Sequence, residues 1–420
     1  MEIPNATNEA AIMKQNTANS SFRYRWLSVR SAATLPFFCH PVKLFCFIWI
    51  IMLAALSIHV SDSSYPTLGI PIRLFAISLL SMIAGYLLIL LLYSGRVRLP
   101  HIHEDIQLDI RRLRILNLVF LLLAVVIVVI NLKITGLPPA FSFLSLDTRE
   151  YLEYGKLKQI LFPLLVAILV NASLDPSYRF KLFFGGFAFI VMGLYLTRLN
   201  LMFAAFQIIV LFALTSRVKT RSLYVVATVA VLCALLLANV LGNNRTSRDV
   251  FMEFLQIKSA YSDAPMPFLW AVSYFSIPIS DMSWIALELH PQEFHLSSLY
   301  PVLPAFWTPE DPHQTFLNGD ARIIDGAHTY LATYFMDASF TGVVFINFLI
   351  GLASGYFMTC RRMVSPLVFA VLLAGIMFLF FFDLFSPLST LILVLLQRCA
   401  ELYALTPRAS RNNLQRTLAA

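Results

Sequence analysis

The segment Asn318–Asp337, NGDARIIDGAHTYLATYFMD, gathers Asp325, His328 and Asp337, groups able to accept a proton near neutral pH, together with Tyr330 and Tyr334. A general base there would act on a substrate hydroxyl, a role worth about 10²–10⁴ in rate. If a helix begins near His328, then His328 and Ala332 share a face by i,i+4 spacing, with Tyr330, Tyr334 and Asp337 on neighbouring stripes. Plainer roles exist for each. Asp325 before Gly326 is an ordinary turn, a histidine near a helix start is commonly a cap, and Asp337 could cap the helix that follows.

A second set of residues is cationic: Arg198 in TRLNL, Arg245 and Arg248 in GNNRTSRD, and Arg322 in NGDARIIDGAH. Guanidinium groups bind phosphate and carboxylate in bidentate geometry, so these four point to an anionic ligand. Headgroup anchoring or a surface ion pair is the alternative for any one of them. The nearby acids Asp249, Asp263, Asp281, Asp311 and Asp320 form no DxD or clustered carboxylates that would hold Mg²⁺ or Mn²⁺, so no metal site or cofactor is expected.

The elements that must carry these residues are set by composition. Hydrophobic residues make up 59% of the chain and charged ones 13%, too few charges for a water-exposed surface. Apolar runs long enough for a hydrocarbon core recur near 42–60, 70–93, 115–133, 158–174, 181–197, 199–215, 222–241, 339–358, 366–383 and 386–398. Backbone groups must bond internally there, so the expected fold is an all-α polytopic membrane protein of about ten transmembrane helices. Its expected parts are a disordered cytoplasmic tail (1–41), a seven-helix region (42–241), a large external loop (242–338), a three-helix region (339–398) and a cytoplasmic tail (399–420). Tight hairpins are expected at Thr197–Asn200 and Asp383–Pro387.

Lysine and arginine resist translocation, and this topology puts 21 of the 31 on one side. Both termini are therefore expected to be cytoplasmic, with 242–338 outside. The apolar stretch 264–279 holds three prolines and is short, so an interfacial or re-entrant segment is expected there in preference to an eleventh span. The net charge of +8 follows from the cytoplasmic loops and anionic lipid, not from nucleic acid. Cys39, Cys46, Cys233, Cys360 and Cys399 all fall in the membrane or on the cytoplasmic side, so no disulfide is expected outside.

The many-span layout with one dominant external loop, the TRLNL hairpin, SYFSIPISD and, above all, HTYLATYFMDASFTGVVFINFLIGLASGYF resemble the Wzy-type O-antigen polymerases, the oligosaccharide repeat unit polymerases. The resemblance covers most of the chain by layout and about 198–360 by motif. It implies a periplasmic active site in the bacterial inner membrane. There, a growing glycan passes from undecaprenyl pyrophosphate to a sugar hydroxyl of another lipid-linked repeat unit, with a chain-length regulator as partner. Some members carry an arginine with glycine eleven positions later; no arginine here does, so only residue types carry over. The resemblance gives Arg198, Arg245, Arg248 and Arg322 the pyrophosphate, and places a polar site with Tyr330 and Tyr334 beside the eighth span. Alternatives are an O-antigen ligase acting on lipid A-core, a lipid-linked oligosaccharide flippase, and a membrane scaffold.

Overall fold

The computed structural model describes residues 24–28, 35–94, 105–135, 155–195, 197–215, 221–222, 224–225, 228–229, 248–289, 295, 329–359, 366–379 and 388–407. These residues are almost entirely helical. The longer helices are α1 (Pro41–Ser57), α2 (Gly69–Ser94), α3 (Ile110–Thr135), α4 (Gly155–Leu174), α5 (Gly186–Leu194), α6 (Arg198–Thr215), α7 (Arg248–Phe254), α8 (Met266–Glu288), α9 (Leu331–Thr359), α10 (Pro366–Met377) and α11 (Leu388–Ala404). A π-helical turn, Lys181–Gly185, leads into α5. Among the described residues, three helices, Gly69–Tyr93, Ile110–Ile134 and Leu331–Thr359, are long and apolar enough to cross a membrane. Pro41–Ser57, Gln159–Leu174, Leu199–Thr215 and Pro366–Met377 are shorter apolar helices. The expected span 222–241 lies almost wholly outside the described residues.

A small antiparallel sheet departs from the all-helical expectation. Strands β1 (Tyr24–Ser28), β2 (Asp105–Asp109) and β3 (Leu405–Pro407) pair in the order β1-β2-β3, with Trp26 opposite Gln107 and Ile106 opposite Pro407. Part of the tail expected to be disordered is thus a strand. Its alternation of Tyr24, Trp26 and Ser28 is too short to register in sequence, and a strand bonds only once β2 is beside it. The sheet collects the chain before α1, the chain between α2 and α3, and the chain after α11 at one end of the bundle, the sheet end.

Charged side chains lock that end. Arg114 Nε donates to Asp175 Oδ2 at 2.6 Å and Nη2 to Oδ1 at 3.0 Å, while its guanidinium lies 3.7 Å from the Phe180 ring centroid. Arg112 Nη1 donates to the Tyr403 carbonyl at 3.3 Å. Glu401, buried near the end of α11, accepts the Leu367 and Val368 amides at 3.0 and 3.4 Å and so caps the start of α10 from another helix.

The most extensive helix contact joins α9 to α2. Glycines make it: a Cβ at Gly85 would come 2.2 Å from the Phe348 oxygen, and one at Gly351 2.1 Å from the Met82 oxygen. Gly351 and Gly355 are four apart on one face of α9, the spacing that lets two helix backbones touch in lipid. Arg73 meets Phe340 and Tyr93 meets Tyr356, so both helices run from the far end to the sheet end.

Helix α8 is longer than the expected apolar stretch 264–279 and carries Pro278 inside it. Leu269 and Val272 share a cluster with Ala55 and Val60, while Ser280 accepts the Tyr65 amide and Trp284 Nε1 donates to the Ser63 carbonyl. Both halves of α8 therefore hold the same far-end loop, 58–65.

Candidate functional site

Helix α9 is not one straight rod. Ala338 (φ −152°, ψ 26°) and Ser339 (φ 53°, ψ −146°) break it, leaving a short helix, 331–337, before the long one, 340–359. Three contacts pair the two parts antiparallel about the break. The Tyr330 hydroxyl donates to Asn347 Oδ1, the Phe335 and Phe340 rings stand 5.2 Å apart, and a Cβ at Gly342 would lie 1.9 Å from the Tyr334 oxygen. Only glycine allows this approach at 342. The element is a helical hairpin with a two-residue turn, and its first arm starts beside Asn347, about 10 Å below the turn at 1.5 Å per residue.

The break explains the sequence. The long arm begins at 340, one residue after the start of the expected eighth span, and its 20 residues reach about 30 Å, enough for a hydrocarbon core. The first helical residue is Leu331, and Thr329 caps the arm: its Oγ1 accepts the Leu331 amide at 3.3 Å. The Tyr330 amide donates to the Leu379 carbonyl at 3.4 Å, which ties the hairpin to the end of α10.

Asp337 sits at the turn with 4% of its surface exposed. Its carbonyl accepts the His295 amide at 2.9 Å. Tyr330 is buried deeper, at 1%, and Tyr334 is half-buried against the core. Helix α8 packs on α9 and brings a second buried carboxylate, Asp281, to the same end. Asp281 was named in sequence only as an acid outside any metal cluster.

Arg73 was not singled out from sequence. It stands near the start of α2, with its guanidinium 4.7 Å from the Phe340 ring centroid on the second arm of the hairpin. Its signal was available: an arginine at the far-end boundary of an apolar run opposes the basic bias that places Lys and Arg at the other end. Asn347 was also missed, because an amide inside a span looks like an ordinary polar interruption until Tyr330 is seen to reach it.

The four arginines named from sequence fare differently. Arg198 opens α6, whose Phe203 and Phe206 pack on Phe378 beside Leu379, so its backbone lies at the far end. Arg248, at the start of α7, donates through Nη2 to the Ser262 carbonyl and to the Ala264 carbonyl at 3.0 Å. That nitrogen is committed to holding the turn before α8. Arg245, Arg322, Asp325 and His328 lie outside the described residues.

The arrangement therefore gathers at the far end a buried carboxylate at a helix break, two tyrosines and a guanidinium on a ring of the same hairpin. Such a set can accept a proton from a hydroxyl and hold an anion beside it. Comparison of the chain with protein-family models, curated proteins and solved structures finds no match.

Proposed function

We propose that this chain is a membrane-embedded glycan polymerase of the Wzy type, extending a polyprenyl-diphosphate-linked glycan at the periplasmic face of the bacterial inner membrane. In this reading the chain crosses the membrane about ten times. The sheet end is cytoplasmic, the segment 242–338 is external, and α8 is an interfacial helix within it. Pairing of 24–28, 105–109 and 405–407 in one sheet supports an even number of crossings between them. The observation that carries the reading is the α9 hairpin, which sets Asp337 at its turn and Phe340, with Arg73 over its ring, at the head of its long arm.

The chemistry asks little more of the protein. An acceptor sugar hydroxyl gives its proton to Asp337 as its oxygen bonds to the anomeric carbon of the donor. The bond from that carbon to the diphosphate breaks, and undecaprenyl diphosphate departs with the electron pair. Arg73 at the far end, together with Arg198, Arg245 and Arg322, stabilises in this scheme the charge that grows on the diphosphate. Tyr330 and Tyr334 shape the acceptor side. No metal takes part in this scheme, and a chain-length regulator is the expected protein partner.

The test is a gel of lipopolysaccharide from the source bacterium lacking this gene, with and without complementation. Lipid A-core carrying one repeat unit, with the ladder restored by the gene, is the expected result. Bare core would point to a ligase or a flippase, and an unchanged ladder would remove the chain from this pathway.

A further inference from the structure

Helices α3, α4 and α11 pack mutually, and each carries a buried carboxamide near the sheet end: Asn117 on α3 at 2% exposure, Asn171 on α4 and Gln397 on α11 at 0%. Two anchors fix their levels. Arg114 meets Asp175, and Asn117 lies three residues inward from the first while Asn171 lies four inward from the second. Arg112 meets Tyr403, and Asn117 lies five residues inward from one and Gln397 six from the other. At 1.5 Å per residue the three amides stand at one depth, to within about one helical turn.

Their hydrogen-bonding capacity is largely unused by the protein. Among the described residues, Asn117 Oδ1, both polar atoms of the Asn171 amide and both of the Gln397 amide meet no protein partner. Gln207 on α6, another helix packed along α4, is a fourth buried carboxamide in the same condition. An amide left dry in an apolar surrounding opposes burial, and three at one level would oppose the packing of all three helices. Polar side chains inside a membrane domain face partners or water. Phe120, Val170 and Leu393, buried close to these amides along the same three helices, have apolar side chains that offer neither donor nor acceptor.

We propose that this layer is a binding site for ordered water within the bundle. Five unmet atoms and about three hydrogen bonds per buried water call for about two molecules bridging Asn117, Asn171 and Gln397. The occupant is neutral: three carboxamides supply both donors and acceptors and no charge. The site is separate from the far-end hairpin and does not depend on the proposed catalytic reading.

A high-resolution density map of the full chain in lipid nanodiscs is the direct test. Discrete density within hydrogen-bond distance of at least two of the three amides is expected. Amides turned onto one another with no density between them would overturn the proposal. Thermal unfolding in the same nanodiscs reads the sign independently. Asn171→Leu and Gln397→Met should each lower Tm by several degrees, because an apolar group strands the water and the remaining amides. A rise in Tm for either variant would show that the amides are dry, since an apolar replacement then removes an unmet group. Gln397→Met is close in volume and unbranched, so it keeps the test open if Asn171→Leu fails to accumulate.

Discussion

At the residue scale, the proposed chemistry separates side chains that act from side chains that hold. Asp337 is buried at the turn of the α9 hairpin, and Asp337→Asn keeps its shape while removing the proton acceptor. Its polymerase activity should fall by about 10²–10⁴ with normal membrane levels, and wild-type activity in a reconstituted assay would exclude it as the base. Arg73 and Arg248 make a matched pair for the anion. Arg73→Ala should lower activity by about 10²–10³, the usual loss for a preorganised charge donor, with little change in Tm. Arg248→Ala removes the donor to the Ser262 and Ala264 carbonyls, so it should lower Tm more than activity. Sequence alone offered Arg248 and not Arg73, because charge type and side of the membrane are legible in a chain while hydrogen-bond partners are not.

At the element scale, α9 shows why glycine positions matter more than hydropathy. The run 339–358 was legible as a span, yet the preceding arm, its turn and its fold-back depend on Gly342 and on Tyr330 meeting Asn347. The α2–α9 contact depends equally on missing side chains. Gly85→Leu should abolish folding or leave only degraded protein, since a Cβ would already stand 2.2 Å from a backbone oxygen, whereas Leu80→Ala on the exposed face of α2 should be tolerated. Full accumulation of Gly85→Leu would mean that the two helices do not touch there.

The cap of α10 makes a further prediction. Glu401 lies beyond the apolar stretch expected over 386–398, and burial, opposed by the Val368 and Leu367 amides and by Arg398, raises its pKa from 4.5 to about 7. A raised folded-state pKa means the folded protein binds the extra proton, so this contribution to stability is fully present below about pH 4.5 and is lost as pH rises through about 7. Glu401→Gln keeps an oxygen for the two amides and cannot ionise, so the fall in Tm between pH 4.5 and 7 should flatten. An unchanged slope would place the titration elsewhere. Glu401→Ala should lower stability at every pH, by the roughly 1 kcal/mol typical of a lost cap.

At the scale of the whole molecule, the sheet ties three distant stretches of chain to one end, and the loop 58–65 with α8 closes the other. Cysteines introduced at Ser28, Gln107 and Thr406 in a cysteine-free background should label from the same side of sealed vesicles, and one at Ser64 from the opposite side. Labelling of Gln107 and Ser64 from one side would break the proposed topology.

The sequence by itself determined the helical, strongly apolar character, because long apolar runs with few charges satisfy their backbone groups within helices. It also marked Asp337, Tyr330 and Tyr334, since residue type and position near a span boundary are local properties. Only the tertiary structure decided that 331–337 folds back on 340–347, that Arg73 joins that hairpin, and that 24–28 is a strand. Each of those depends on a partner many residues away, and no local pattern carries the identity of a partner.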